Sequence, residues 1–156
     1  MSAGESEKRA TLDTPFGPVT LSEVAGVIVR LDWRAVPGEG SALLDEASRQ
    51  LRAYFAGNRR AAFDLPRAFQ PGLTGAVQRA MCAIPFGETR TYGDLSKTLG
   101  VPAQAIGQAC GANPIPILIP CHRILSASGL GGFSAPGGVE TKVALLKHEG
   151  AASLLI

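Results

Sequence analysis

Apolar and polar positions follow two different periods along the chain, and the change of period divides it into two parts. In the first part, residues 19–21 and the β-branched run 27–31 predict strands, with a hairpin turn at Ala25-Gly26. Over residues 42–56, apolar side chains recur on one helical face, which predicts an amphipathic helix. Residues 1–70 are therefore expected to form a small unit of strands and helix.

The second part, residues 71–156, has a helical pattern. Residues 66–72 are typical of a linker, and the helices are predicted at 74–83, 91–100, 103–110 and 139–148. The two central helices are separated only by Gly100-Val101-Pro102, a spacing compatible with a helix-turn-helix. Two packed core helices would give the same spacing, so the pattern alone leaves both interpretations open.

The segment 113–124 carries the strongest chemical signal, because a thiol stands at the end of its apolar run with an imidazole directly after it. Three prolines (114, 116 and 120) fix φ around an apolar run that we expect to be extended and stiff up to Cys121. A free thiol has a pKa of about 8.5 and reacts as the thiolate. A base beside it, such as His122, is the arrangement of an activated nucleophile.

Composition excludes several function classes. Hydrophobic residues make up 46% and charged residues 18% of the chain, a globular balance, and the net charge of +2 is too small to demonstrate a nucleic-acid partner. Three cysteines without a C-x-x-C pair, and only two histidines, argue against a disulfide framework and a metal site. No apolar run reaches the ~20 residues of a membrane span, and the first residues are polar, so we expect a cytoplasmic protein.

Pro-Cys-His-Arg at 120–123 and its surroundings resemble the active-site motif of the O6-alkylguanine-DNA alkyltransferases, also called methylated-DNA–protein-cysteine methyltransferases. The resemblance includes Asn113-Pro114 before the motif, Ser128-Gly129 and Gly132-Phe133-Ser134 after it, the stretch from Lys142 to Gly150, and residues 84–92 upstream. It is strong over residues 75–150 and weaker in the first half, where Thr14-Pro15-Phe16-Gly17-Pro18 is the best match. Chance agreement over this extent is improbable.

The resemblance implies an α+β fold. A small N-terminal α/β domain of ribonuclease-H-like type would support a mostly helical C-terminal domain, which holds the helix-turn-helix and the Pro-Cys-His-Arg segment. It also implies the reaction: a single-turnover, irreversible transfer of an alkyl group from O6 of a guanine, flipped out of the duplex, to the protein's own cysteine. The expected partner is double-stranded DNA containing O6-alkylguanine, the expected state is a monomer, and no cofactor or metal is needed.

By the same resemblance, individual residues take roles. Cys121 is the acceptor, His122 the base acting through a water, Glu149 the acid that orients this histidine, and Asn113 the brace of the turn beside the cysteine. Substrate contacts fall on Tyr92, Phe133, Ser134, Lys142 at the pocket rim and the Ile124 carbonyl. DNA contacts fall on Thr91, Gln104, Ala105, Gly107 and Arg123.

Two considerations refine this assignment. Consecutive side chains of an extended segment point apart, so we expect a water to link His122 to the Cys121 sulfur. The helix over residues 103–110 contains no Lys or Arg, and Gln104 stands where the family usually has an arginine that fills the gap left by the flipped base. Weaker DNA binding than is usual for the family is the expected consequence.

Other functions remain open at this stage. A lesion-sensing protein of the same fold would bind damaged DNA without reacting, although such relatives replace the cysteine and Cys121 is present. Gln104 and the uncharged helix leave open an alkyl acceptor whose donor is a single strand or a free metabolite. A transcriptional regulator would need a separate DNA-binding domain, for which 156 residues leave no room.

Overall fold

The computed structural model describes residues 6–126, 129–133 and 135–151. Within this part the chain divides into two compact units, one ending at Ala68 and the other beginning at Phe69. Among the described residues, none of the helices combines the length and apolar character that a bilayer crossing requires.

The first unit is a three-stranded antiparallel sheet with one helix. Its strands are β1 (Lys8–Thr14), β2 (Gly17–Val24) and β3 (Val27–Asp32), in that order across the sheet. The predicted turn at Ala25-Gly26 is confirmed, and both residues have positive φ (53° and 83°), as a tight two-residue hairpin turn requires. The strands predicted at 19–21 and 27–31 are the centres of β2 and β3.

Helix α1 (Ala42–Phe55) covers this sheet and confirms the predicted helical period. The Ser41 hydroxyl caps it by accepting a hydrogen bond from the Leu44 N–H (3.1 Å). Its apolar face is fully buried, as are the sheet residues that form the same core; these side chains are Leu44, Ala47, Leu51, Tyr54, Val19, Leu21 and Ile28. Burial of this face stabilises the unit, with each large side chain contributing about 1.5–3 kcal/mol.

The second unit is mostly helical. Its helices are α2 (Gly72–Cys82), α3 (Tyr92–Leu99), α4 (Ala103–Gly111) and α5 (Val139–His148), and a short 3₁₀ turn spans Cys121–Arg123. A two-stranded parallel sheet, β4 (Arg90–Thr91) with β5 (Ile124–Leu125), was not predicted. Strands of two residues carry no detectable periodicity, so the sequence pattern could not reveal them.

Helices α3 and α4 form the predicted pair of short helices joined by a tight turn. Thr91 and Asp94 make reciprocal side-chain–backbone hydrogen bonds at the start of α3, a capping box (3.0 and 2.9 Å). Gly100 ends α3 in the left-handed conformation (φ 68°), which glycine adopts without steric cost. Leu95 and Ile106 bury the facing sides of the two helices.

The apolar segment before Cys121 is not the extended run that we expected. Ile117 has φ 71°, a left-handed conformation that costs a β-branched residue of the order of 1–3 kcal/mol. Hydrogen bonds close the turn around it, from the Leu118 N–H to the Pro116 carbonyl and from the Ile119 N–H to the Ile115 carbonyl, both at 2.9 Å. The apolar side chains of this turn are buried, which offsets the local strain.

Candidate active site

Cys121 is the first residue of the 3₁₀ turn. Its N–H donates to the Ile119 carbonyl (2.8 Å), so the strained turn directly fixes where the sulfur lies. The residue is half-buried. Burial raises the pKa of the Cys121 thiol, and hydrogen bonding by Asn113 and the positive charge of Lys142 partly offset that rise. At neutral pH the sulfur therefore needs a base to become a thiolate.

His122 is completely buried and has one open ring nitrogen. Its Nε2 lies 2.7 Å from Oε2 of Glu149. Because an ionised carboxylate only accepts hydrogen bonds, Nε2 carries the ring hydrogen and Nδ1 holds a free lone pair. Among the described residues, Nδ1 has no hydrogen-bond partner. Burial lowers the pKa of His122 despite the opposing effect of Glu149, so the imidazole is neutral and can accept a proton.

Glu149 directly follows α5 and is 4% exposed. Oε1 accepts from Arg123 Nε (2.8 Å) and the Gly87 N–H (3.5 Å), whereas Oε2 accepts from His122 and from Arg123 Nη2 (3.0 Å). Burial alone would raise the pKa of Glu149, but the hydrogen bonds and charges of His122 and Arg123 hold it well below its usual range. A permanently ionised carboxylate thus fixes the tautomer of His122.

Arg123 is an internal partner of this carboxylate. Its guanidinium binds Glu149 through two nitrogens and donates from Nη1 to the Ile84 carbonyl (2.7 Å), and the residue is 7% exposed. The guanidinium carbon lies 6.0 Å from the centre of the Phe86 ring. We therefore reassign Arg123 from the DNA contact that we expected to the support of Glu149, because a buried guanidinium that is bonded to this carboxylate and to the Ile84 carbonyl cannot reach a phosphate.

Asn113 holds the ends of the strained turn together. Its Nδ2 donates to the Ile119 carbonyl (2.8 Å), and its Oδ1 accepts from the Ile115 N–H (3.0 Å). The amide thus joins the start of the turn to the residue two positions before Cys121. This is the geometry of a brace, and a carboxylate or an apolar side chain at this position could make only one of the two bonds or neither.

Lys142 is fully buried and does not lie at a pocket rim, where we expected it. Its ammonium donates to the Ile124 carbonyl (2.6 Å) and to the Gly132 carbonyl (3.2 Å). The Ile124 carbonyl, expected to contact substrate, therefore already accepts a hydrogen bond from within the protein. Burial lowers the pKa of Lys142, and the thiols of Cys121 and Cys110 oppose that change.

Tyr92 stands beside these groups because β4 pairs with β5, which aligns Thr91 with Leu125. Its side chain is half-buried, and burial raises the pKa of its phenol. Gly131 has φ 72°, and a Cβ at this position would lie 3.0 Å from the Tyr92 hydroxyl and 3.5 Å from Lys142 Nζ. A side chain at position 131 would therefore enter the space between them.

The remaining predicted residues lie in the loop after β5 and in the helix pair. Phe133 is half-buried in the loop, and Ser134 falls outside the described residues. The Thr91 hydroxyl accepts the capping hydrogen bond of α3. On α4, Gln104 is exposed, whereas Ala105 and Gly107 are half-buried. The described part of the chain contains no group of three or more His, Cys, Asp or Glu side chains arranged to hold a metal ion.

One residue of this site was absent from our predictions. Gly87 has φ 84°, and a Cβ there would lie 3.0 Å from the Glu149 carbonyl oxygen, so only glycine allows the turn after Phe86 to approach Glu149. The Pro85-Phe86-Gly87 turn signal marks the position in the sequence. Its proximity to residue 149, however, is a tertiary contact that no local pattern contains.

Comparisons with known protein families account for both units. Residues 8–69 match the family model of the 6-O-methylguanine DNA methyltransferase ribonuclease-like domain. Residues 73–151 match that of the 6-O-methylguanine DNA methyltransferase DNA-binding domain. A methylated-DNA–protein-cysteine methyltransferase of Methanosarcina acetivorans is 44% identical over 154 residues, covering 90% of this chain and 97% of that protein.

Solved structures of similar proteins give the same result. The crystal structure of the Mycobacterium tuberculosis O6-methylguanine methyltransferase superposes with a TM-score of 0.82 at 34% identity, covering 94% of both chains. A complex of the Mycobacterium tuberculosis OGT with DNA superposes with a TM-score of 0.79 at 37% identity, covering 91% of this chain and 92% of that one.

Proposed function

This chain belongs to the 6-O-methylguanine DNA methyltransferase family, and we propose that it repairs O6-alkylguanine in duplex DNA by taking the alkyl group onto Cys121. The observation that carries this proposal is the open Nδ1 of His122. A buried, neutral imidazole nitrogen without a partner, directly after a half-buried thiol, is the base that such a transfer needs.

The proposed reaction proceeds in one displacement. His122 Nδ1 takes the proton of the Cys121 thiol through a bridging water. Cys121 and His122 are consecutive residues of a 3₁₀ turn and not of an extended segment, and the unpartnered Nδ1 supports the bridging water. The thiolate attacks the alkyl carbon, an S–C bond forms and the C–O6 bond breaks. The proton that left the thiol ends on the released guanine.

Glu149 and Arg123 serve this step by holding His122 in one tautomer. The carboxylate accepts from Nε2, which keeps Nδ1 free to act as the base, the same logic as in a catalytic triad. Arg123 and the Gly87 N–H keep the carboxylate ionised and in place. The product is a thioether, which no base of the site can cleave, so each molecule reacts once.

Lys142 supplies positive charge to the same reaction. Its ammonium has no carboxylate partner among the described residues and lowers the pKa of Cys121 relative to an uncharged site. By its bonds to the Ile124 and Gly132 carbonyls it also ties β5 to the following loop. We assign it to stabilisation of the thiolate rather than to direct contact with the base.

The target base reaches this site by leaving the duplex, at a cost of a few kcal/mol. Thr91, Tyr92, Gln104, Ala105 and Gly107, all in the helix-turn-helix region, are proposed to contact the DNA around the vacated position. The chain is proposed to act as a monomer in the cytoplasm.

Intact-mass spectrometry tests the proposal. The protein is incubated with a duplex containing one O6-methylguanine, and the expected result is the gain of one methyl group by the wild type and by Cys110→Ala, with none by Cys121→Ala. Cys110 is the matched control because it is a second half-buried thiol of the same unit.

The alternatives give different outcomes of the same experiment. Binding of the duplex without a gain in mass would indicate a lesion sensor. Transfer from a single strand or the free base, but not from the duplex, would show that the donor is not duplex DNA. A methyl group that remains on the protein after Cys121→Ala would remove Cys121 from the mechanism.

A further inference from the structure

The outer face of α4 presents two glutamines in one line. Gln104 and Gln108 are both exposed and stand four residues apart, which places them one helical turn apart on the same side. The opposite face packs inward through Ile106 and Ala109, which are buried. The orientation of α4 is thus set by its apolar side, and the glutamines are held outward.

These two amides make no hydrogen bond to the protein within the part of the chain that the structure describes. The buried glutamines behave differently: Gln50 bonds to Glu46 and to the backbone of Asp64, and Gln78 accepts from the Gln70 N–H. Each exposed amide therefore keeps two donors and an acceptor oxygen for a partner from outside.

The same face carries no charge, because α4 has no acidic residue in its first turn and no basic residue in its last, and contains none between them. Its side chains therefore offer phosphates hydrogen-bond donors but no positive charge. Beside the glutamines, a Cβ built at Gly107 or Gly111 meets nothing within 4 Å. Internal packing therefore does not require glycine at either position, although glycine costs a helix about 1 kcal/mol relative to alanine.

We propose that Gln104 and Gln108 together form a base-reading surface on duplex DNA, and that Gln108 makes repair depend on the base pairs beside the lesion. This inference rests on the proposed function and adds to it a residue that determines specificity. An amide can donate to adenine N3 or thymine O2 and accept from the guanine N2 amino group in the minor groove, or pair with adenine N6 and N7 in the major groove.

The spacing of the two amides fits two positions of a duplex. With a rise of about 1.5 Å per residue, residues four apart are separated by about 6 Å along the helix axis. Bases of one strand are about 3.4 Å apart along the duplex axis. If Gln104 lies at the position vacated by the flipped guanine, Gln108 lies about two base pairs away. A neutral contact there reads bases without adding to the salt dependence of binding.

The test measures the affinity of duplexes with one O6-methylguanine in which the base pairs one and two positions away on either side are A·T or G·C. Every protein carries Cys121→Ala, so that no methyl transfer occurs while binding reaches equilibrium. The protein with an otherwise wild-type sequence is expected to distinguish its preferred flanking pair by about tenfold in Kd, and Gln108→Ala to reduce this to about twofold. Gln70→Ala, which removes an exposed glutamine of the same unit, is the matched control and keeps the full discrimination. Replacing a flanking adenine by 3-deazaadenine or 7-deazaadenine identifies the atom contacted.

Equal discrimination by the wild type and Gln108→Ala, with both proteins folded by circular dichroism, would overturn the inference. So would a loss of affinity in Gln108→Ala that is the same for every flanking sequence, because that is the effect of a structural change. Methylation by the same duplexes is recorded in parallel on proteins that retain Cys121. Methylation that occurs without flanking-sequence dependence refutes only the role of Gln108. A lack of methylation refutes the proposed function itself.

Discussion

The cysteine turn and the outer face of α4 belong to the same unit but are built in opposite ways. Around Cys121, the side chains of His122, Arg123, Lys142 and Glu149 are buried, charged or polar, and bonded to one another or to backbone carbonyls. On α4, the exposed side chains are neutral and make no hydrogen bond to any residue that the structure describes.

The difference indicates which region determines the chemistry and which determines the affinity for DNA. Removing one member of a buried ionic network leaves its partner charged and unpaired, which costs about 3–5 kcal/mol, so the reactive turn tolerates little change. Substitutions at exposed helix positions usually change the stability by less than about 0.5 kcal/mol. The chemistry is therefore expected to be rigid, and the affinity for DNA adjustable through α4 with little cost to the fold.

The largest effect is expected from Glu149→Gln. The amide keeps the size of the side chain but removes the charge that fixes His122 and balances Arg123, so the single-turnover repair rate should fall by about 100-fold or more. Rapid-quench measurement of Cys121 methylation checks this. Glu140→Gln, an exposed substitution on the neighbouring helix α5, is the control and should react at the wild-type rate. A rate for Glu149→Gln within twofold of wild type would contradict the network as described.

A smaller effect, of about tenfold, is expected from Lys142→Met. Loss of the buried cation raises the pKa of Cys121, which lowers the fraction of thiolate at neutral pH. The pH profile of alkylation by iodoacetamide should move to higher pH, which a purely structural defect would not cause. Lys147→Met, exposed on the same helix, should leave the profile in place. An unmoved profile in Lys142→Met would assign this lysine to structure alone.

Acid should destabilise the buried site before it affects α4. Folding lowers the pKa values of both His122 and Glu149, so at low pH the unfolded chain binds more protons than the folded one. The contribution of these two groups to the free energy of unfolding is complete above about pH 6.5, the pKa of histidine in the unfolded chain. It is lost progressively as the pH falls, first as His122 binds a proton and then as Glu149 does. Urea unfolding between pH 7.5 and 4 should show this decline. His122→Asn should flatten its upper part, and an equally steep decline in that variant would refute the assignment.

The smallest effect is expected on α4 itself. Gln104→Arg should strengthen duplex binding several-fold and increase the dependence of log K on log salt by about one, since one more phosphate is neutralised. Gln70→Arg adds the same charge elsewhere in the unit and is the control. If Gln104→Arg changes neither affinity nor salt dependence, α4 does not face the DNA backbone, and the contrast between the two regions loses its functional meaning.

The two regions differ in how far the sequence alone predicts their structure. The helical period predicts that one face of α4 is exposed, and its glutamines and its lack of charge are read directly from the sequence. Cys121 and His122 are neighbours in the sequence, so their proximity could also be predicted. Glu149 would pass for a solvated residue at a helix end, and its burial depends on a contact 27 positions away. The resemblance placed Arg123 at the DNA and Lys142 at a pocket rim, whereas both are buried. Their burial depends on partners that only the folded chain brings together, such as Glu149 and the Ile124 carbonyl.

The proposed reaction requires that His122 is neutral at pH 7, with its hydrogen on Nε2 and an open Nδ1 beside Cys121. Nitrogen-15 NMR of the imidazole ring measures this directly in the unreacted protein. We expect a protonated Nε2 and an unprotonated Nδ1 throughout the range from pH 6.5 to 8. A charged imidazolium, or a hydrogen on Nδ1 instead of Nε2, would contradict it.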